Sequence, residues 1–284
     1  MENSQNITFI DLRLDYAFKL VFGTPGNEDL LLKLIDAILP ERHFTSVSLS
    51  TNERVGQRPD SHRAIYDIFA TTSDGSDVTI EMQFGEQDDF NRRMVFYSSF
   101  PVQNHILKGS QSFNFPNVYV IGITDFILSG VPENDDMINQ YAVINKKYQE
   151  IPLCNELTYV TVELPKLKKS LRELETPAEY MLYAIRNIGE MTEMPEEYKG
   201  KGLDKLFELC KFANMTLAEQ RQYLAEFMAE IDEKSRLRTA INKGLAEGRA
   251  EGRAEVAKSM LANGLDKEMI SKCTGLSAEE IARL

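Results

Sequence analysis

Residues 117–127 read Asn-Val-Tyr-Val-Ile-Gly-Ile-Thr-Asp-Phe-Ile, an almost continuous apolar run of strand length. It shows none of the alternation that would leave one face to water. A strand of this kind is buried on both faces, as in a sheet covered by helices on each side. The rest of the first half supplies the parts. Asp15 to Phe22 carries Leu14, Phe18 and Val21/Phe22 on one stripe and ends at Gly23-Thr-Pro-Gly26. Residues 28–39 form a second amphipathic helix, stopped by Pro40. Val47 to Arg54, Ala64 to Thr72 and Asp77 to Phe84 read as strands. Phe90 to Leu107 reads as a helix with Phe96, Phe100 and Ile106 as apolar positions, kinked or broken at Pro101. Tyr141 to Asn145 and Leu157 to Leu164 suggest a further strand pair.

The second half differs. After about residue 165 the chain is rich in Leu, Glu, Lys and Ala at helical spacing, so an α/β first half precedes an all-helical one. Three segments follow: a core at 1–168, a helical region at 169–232, and a glycine-containing helix with its tail at 233–284. From Leu217 to about Ala262 the pattern is one long helix. Gly244, Gly248 and Gly252 recur every fourth residue within it. Glycine is unfavourable inside a helix, so the repeat reads either as a stripe for close helix approach or as a flexible helical linker. Lys267 to Leu284 has helix-turn-helix spacing, with Gly275 at the turn, Ser277 and Glu280 as a capping box, and Ile270, Ile281 and Leu284 as apolar positions. Its second helix is acidic where a DNA-reading helix should be basic. The tail therefore reads as a helical hairpin for packing or self-association.

Several classes are excluded. No run approaches a membrane span, and the first residues lack a signal peptide's basic flank and apolar core. Cys154, Cys210 and Cys273 lie in no metal or redox spacing, which suits reduced thiols in a cytoplasmic protein. His43, His62 and His105 are not spaced as ligands, and no phosphate loop, dinucleotide fingerprint or nucleophile elbow is present.

The segment richest in chemistry is a hairpin, Ile65-Tyr-Asp67-Ile-Phe-Ala and Val78-Thr-Ile-Glu81-Met-Gln83-Phe. A three-residue loop, Ser73-Asp74-Gly75 with Gly75 left-handed, pairs Thr72 with Ser76. Asp67 then faces Glu81, and Gln83 shares that face. A two-residue Asp74-Gly75 turn would instead put the two acids on opposite faces. On an outer face the two acids would simply be solvated; flanked by Ile65, Ile68, Ile80 and Met82 they would repel each other if empty, which a divalent cation between them removes, and oxygen ligands suit Mg²⁺ or Mn²⁺.

The element order, the Asp67 and Glu81-x-Gln83 pair, and Arg93-Met-x-x-Tyr97 resemble the PD-(D/E)XK nuclease superfamily. Within it they are similar to the Rpn family of recombination-promoting nucleases and transposases. Further matches are Asp15-x-x-Phe18-Lys19-x-x-Phe22-Gly23, Ile80-Glu81-Met82-Gln83, Lys108-Gly109, Val120-Ile-Gly-Ile-Thr-Asp125-Phe, Glu163-Leu-Pro-Lys166 and the Glu247-Gly-Arg-Ala-Glu-Gly-Arg tail. The resemblance implies a restriction-endonuclease-like αβα core with a mixed sheet and a metal-dependent DNA endonuclease. Asp67 and Glu81 would hold Mg²⁺ (or Mn²⁺). The third strand position, often Lys in the superfamily but usually Gln in the Rpn-like branch, is Gln83. It cannot act as a base, but it can position water by hydrogen bonding. Asp15 is the candidate for a further acid on the first helix, or else an i,i+4 partner of Lys19. Arg93 would contact phosphate with Tyr97 in support, or simply stack on that ring. Arg54, Arg58, Arg63, Arg92 and Lys108 are further phosphate candidates.

Two alternatives stand beside this reading: an inactive nuclease-fold module binding DNA or protein, and a helical self-assembly protein that forms homo-oligomers through the C-terminal helices. The net charge of −12 argues against nucleic acid only in part. Net −10 falls in residues 1–160, where carboxylates would hold a cation and change the local sign. The remaining excess implies weak, salt-sensitive DNA affinity.

Overall fold

A computed structural model describes residues 7–50, 53–54, 64–86, 89–106, 112–129 and 135–284, with only the backbone path at 53–54 and 64–65. Helices α1 (Asp15–Phe22) and α2 (Glu28–Ile38) lead into β1 (Val47–Leu49), β2 (Glu53–Arg54), β3 (Ala64–Ile65), β4 (Ile68–Thr72) and β5 (Asp77–Gln83). Then come α3 (Phe90–His105), β6 (Val118–Thr124), β7 (Ile138–Ala142) and β8 (Leu157–Glu163). Helices α4 (Pro177–Asn187), α5 (Asp204–Cys210), α6 (Leu217–Ala262), α7 (Lys267–Thr274) and α8 (Ala278–Ala282) complete the chain.

Six strands form one mixed sheet in the order β1-β4-β5-β6-β8-β7. The β5, β6 and β8 strands are parallel, and antiparallel neighbours flank them. The apolar run is β6, the strand in the interior of that order, and every residue of it is buried. One face carries Val118 and Val120, packed with Phe90 and Met94 of α3. The other carries Tyr119, Ile121 and Ile123, all buried, with the Phe44 ring against Tyr119; α1 contacts β5 and α2 contacts β1, and each helix buries an apolar stripe. Helices thus flank the sheet on both sides, as a doubly buried strand requires.

Three local outcomes differ from expectation. The Val47–Arg54 and Ala64–Thr72 strands are each split, into β1/β2 and β3/β4. Asp67 accounts for the second break, because its Oδ2 accepts the Met82 N–H at 2.7 Å in place of ladder pairing. The inner face of α3 is Phe90, Met94, Ser98 and Pro101, whereas Phe96 is 40% exposed and packs on the Tyr97 and Phe100 rings. Phe90 is drawn inward by Gly122, where a Cβ would lie 2.7 Å from its ring. Nor does Pro101 end the helix. The Tyr97 carbonyl that Pro101 deprives of a helical donor accepts the Tyr66 hydroxyl at 3.0 Å.

The chain divides into two compact units, up to Leu224 and from Ala225 onward. In the second, Ala257 of α6 packs with Ile270, Leu276 and Ile281 of the tail. Gly275 ends α7 at φ +72°, and Ser277 with Glu280 forms the capping box that starts α8. Leu284 lies beyond α8 and is 38% exposed.

Candidate active site

The hairpin loop sets the register. Gly75 takes φ +82°, and the Thr72 N–H donates to the Ser76 carbonyl at 2.9 Å. Ile68 pairs with Ile80 and Phe69 with Thr79, which brings Asp67 beside Glu81. The Asp67 N–H donates to Glu81 Oε1 at 3.3 Å. Asp67 is 5% exposed and Glu81 3%. Gln83 lies two residues along β5 and is reached from α3 by the same arginine as Glu81. Arg93 Nη1 donates to Gln83 Oε1 at 3.1 Å, while Nη2 reaches Glu81 Oε2 at 3.5 Å and Tyr97 Oη at 3.3 Å. Gln83 Nε2 donates to the Gly85 carbonyl at 3.2 Å, which fixes the amide's orientation.

Helix α1 approaches from the other side. Lys19 Nζ lies 2.7 Å from Asp15 Oδ2 and 3.0 Å from Asp67 Oδ1. One hydrogen-bonded chain therefore joins Asp15, Lys19, Asp67, Glu81, Arg93, Gln83 and Tyr97. The i,i+4 pairing of Asp15 with Lys19 is present, and so is the stacking of Arg93 over Tyr97, with Cζ 5.6 Å from the ring centroid. The Lys19–Asp67 contact has no local signal in the sequence, since the two residues belong to elements far apart in the chain.

The electrostatics are those of a strained acid pair. Burial pushes Asp67 well above the usual carboxylate range; neighbouring Glu81 and Asp15 raise it further, and Lys19 partly offsets them. Burial also drives Glu81 up to about 7, against the pull of Arg93. Burial works against the Lys19 ammonium, but Asp67 and Asp15 outweigh it and hold its pKa above the ordinary lysine value. Burial raises the Tyr97 phenol too, with Glu81 adding to the effect.

Other charged groups lie apart. Arg92 is exposed on α3. The Arg58, Arg63 and Lys108 positions, His62 and the Arg54 side chain fall outside the described residues. His105 Nε2 meets Asp77 Oδ2 at 2.8 Å, at the opposite end of β5 from Gln83. Beyond the ends of the parallel strands, Arg13 bridges Asp11 at 2.7 Å and Asp125 at 3.1 Å. Buried Glu163 holds Lys166 at 2.9 Å and accepts the Leu128 N–H at 3.0 Å. Among the described residues, no group of three or more His, Cys, Asp or Glu side chains forms a ready metal cage.

Comparison with known families bears directly on this arrangement. Residues 12–240 match the family described as PD-(D/E)XK nuclease family transposase. The chain belongs to that family. Residues 250–284 match the Rpn/YhgA-like nuclease family C-terminal helix-turn-helix domain, which coincides with the end of α6 and with α7 and α8. No curated protein and no solved structure matches the chain. A transposase-family nuclease core thus carries Asp67, Glu81 and Gln83 on its central hairpin, and no helix among the described residues is long and apolar enough to cross a membrane.

Proposed function

We propose that this chain is a metal-dependent DNA endonuclease that hydrolyses phosphodiester bonds, with Asp67, Glu81 and Gln83 as its catalytic residues. The observation that carries the reading is the buried Asp67–Glu81 pair, flanked by the Lys19 and Arg93 cations. The donor set fits the cation that the family's chemistry calls for. Two carboxylates supply hard oxygen ligands, and Mg²⁺ is commonly held by one or two carboxylates with water and substrate phosphate completing its shell. Mg²⁺ or Mn²⁺ bound there would polarise the phosphoryl group and lower the pKa of water. Gln83, oriented by Gly85 and Arg93, can align the attacking water by hydrogen bonding but cannot take its proton. The Arg93 guanidinium, braced by Tyr97, suits a phosphate oxygen. Asp15 steers Lys19 and is a candidate for a further acid.

Nicking of plasmid DNA with and without Mg²⁺ or Mn²⁺ tests the reading. Cleavage is expected only with the metal, and Glu81→Ala or Asp67→Ala should abolish it. Cleavage that persists in both variants would sink the site assignment.

Two observations favour further readings of the same chain. Glutamine at position 83 favours a catalytically weak or inactive nuclease-fold module, which would bind DNA without metal-dependent cleavage. In the second unit, Leu237, Ile241 and Leu245 recur every fourth residue of α6 and are 57%, 53% and 55% exposed, which favours association of copies through the C-terminal helices. Light scattering on full-length Ile241→Glu checks this: the native oligomer should dissociate. The helix-turn-helix match favours DNA as partner of the tail, beside the packing role that acidic α8 suggests. A cytoplasmic location accords with Cys154, Cys210 and Cys273 all being free thiols.

A further inference from the structure

The motif strand places an uncharged glutamine where related nucleases commonly have lysine. We infer that Lys19, delivered from α1, supplies the ammonium that Gln83 lacks, positioning the scissile phosphate or the attacking water beside Asp67. The inference rests on the endonuclease reading of this site.

Three features distinguish this lysine from an ordinary surface ion pair. Its Nζ contacts a carboxylate on the catalytic hairpin, Asp67 Oδ1 at 3.0 Å, as well as its own-helix partner Asp15 at 2.7 Å. Asp67 is 5% exposed and Oδ2 already accepts the Met82 N–H, so the carboxylate is oriented without help from Lys19. An ammonium also has three donors. Among the described residues two are used on carboxylates, which leaves one for a substrate oxygen. The other cation of the site is less suited to the task. Arg93 already donates to Gln83, Glu81 and Tyr97, and its planar fork, suited to a phosphate edge, is a different tool from a compact ammonium on a flexible stem. The two cations therefore divide the pair, with Arg93 on the Glu81 side and Lys19 on the Asp67 side.

The test uses the full chain and three measurements on Lys19→Met: plasmid cleavage in Mg²⁺, Mn²⁺ affinity by calorimetry, and the same cleavage assay after adding Gln83→Lys. Cleavage should fall about 100-fold, as when one preorganised transition-state donor is removed. Mn²⁺ should bind more tightly, by about tenfold, because a competing positive charge has left the carboxylates. The Lys19→Met/Gln83→Lys double variant should recover at least tenfold of the lost cleavage, since it returns an ammonium to the site from the strand. Native-level cleavage by Lys19→Met would overturn the inference and leave the endonuclease reading intact. Weaker Mn²⁺ binding would also overturn it, by making Lys19 a prop for Asp67. So would a double variant that folds, as judged by an unchanged melting temperature, yet stays inactive. If the native chain shows no metal-dependent cleavage, the endonuclease reading itself fails.

Discussion

Two sets of acids, buried or half-buried, lie at the same end of the parallel strands, and they differ in whether another acid faces them. Glu163, at the end of β8, has a lysine at 2.9 Å and a backbone N–H at 3.0 Å. Its side chain is fully buried, and that of Lys166 is only 8% exposed. Asp11 and Asp125 share Arg13 in the same way. On the β4–β5 hairpin, Asp67 and Glu81 are nearly as buried, but they face each other and their pKa values rise. A balanced buried charge is part of the scaffold. Two facing carboxylates repel each other even with Lys19 and Arg93 at their flanks, and a bound divalent cation would relieve that repulsion, which makes the pair a candidate for chemistry.

The largest effect should come from removing an acid of the facing pair. Glu81→Ala or Asp67→Ala is expected to lower metal-dependent cleavage by ~1,000-fold or more, equivalent to ~4 kcal/mol of barrier. The folded state should survive, because the repulsion between the acids goes with the substitution and the half-buried Lys19 and Arg93 side chains left behind can turn to water. Lys166→Met should do the reverse. It leaves the buried Glu163 side chain without its cation, and breaking such a pair costs about 3–5 kcal/mol, read as a lower urea midpoint. Should Lys166→Met prove harmless while Glu81→Ala unfolds the protein, the distinction between the two acid sets is wrong.

The sequence made much of this contrast legible, though not all of it. The loop Ser73-Asp74-Gly75 is short enough for turn chemistry alone to imply the register, and the observed Thr72–Ser76 hydrogen bond agrees. The apolar run at β6 likewise announced a doubly covered sheet, and α1 starts and stops where its spacing and its glycine break imply. What stayed hidden depends on contacts between distant parts of the chain. Lys19 looks like a helix-surface partner of Asp15 until α1 packs beside the hairpin. The inward face of α3 is chosen by the notch at Gly122, which no helical periodicity encodes. Pro101 reads as a breaker until Tyr66 supplies the missing donor.

A third effect follows from the raised pKa values. Burial favours the protonated form of Glu81 in the folded state, from an ordinary 4.5 up to about 7. A raised acid contributes stability that is complete below the unfolded pKa and is lost as pH climbs through the folded one. Metal-free protein should therefore lose on the order of 3 kcal/mol between about pH 4.5 and pH 7 from this group, and Asp67 acts in the same direction. Saturating Mg²⁺ should flatten the slope, because it selects the ionised pair. Glu81→Gln should flatten it without metal. Chemical denaturation across that range decides the matter, and a metal-free profile indistinguishable from that of Glu81→Gln would remove the electrostatic basis of the contrast.

The smallest effect probes the second unit, where no strained acids have been placed. Its core is only Ala257, Ile270, Leu276 and Ile281 with Met260 and Leu261 alongside, so the short α8 depends on local terms. Ser277 Oγ accepts the Glu280 N–H at 3.2 Å, and Glu280 Oε2 accepts the Ser277 N–H at 2.7 Å. Ser277→Ala removes half of that reciprocal cap. The α8 amides should exchange about fivefold faster, the scale of one lost N-cap, while exchange in β5 and β6 stays unchanged. The Asp266 and Glu280 carboxylates accept backbone N–H groups of their own helices, so disturbing such a cap should loosen structure there without touching cleavage. If Ser277→Ala instead slowed cleavage of DNA with α8 still protected, the tail would have to be counted with the Asp67–Glu81 site as functional surface, and the helix-turn-helix match would then bear on catalysis as well as on binding.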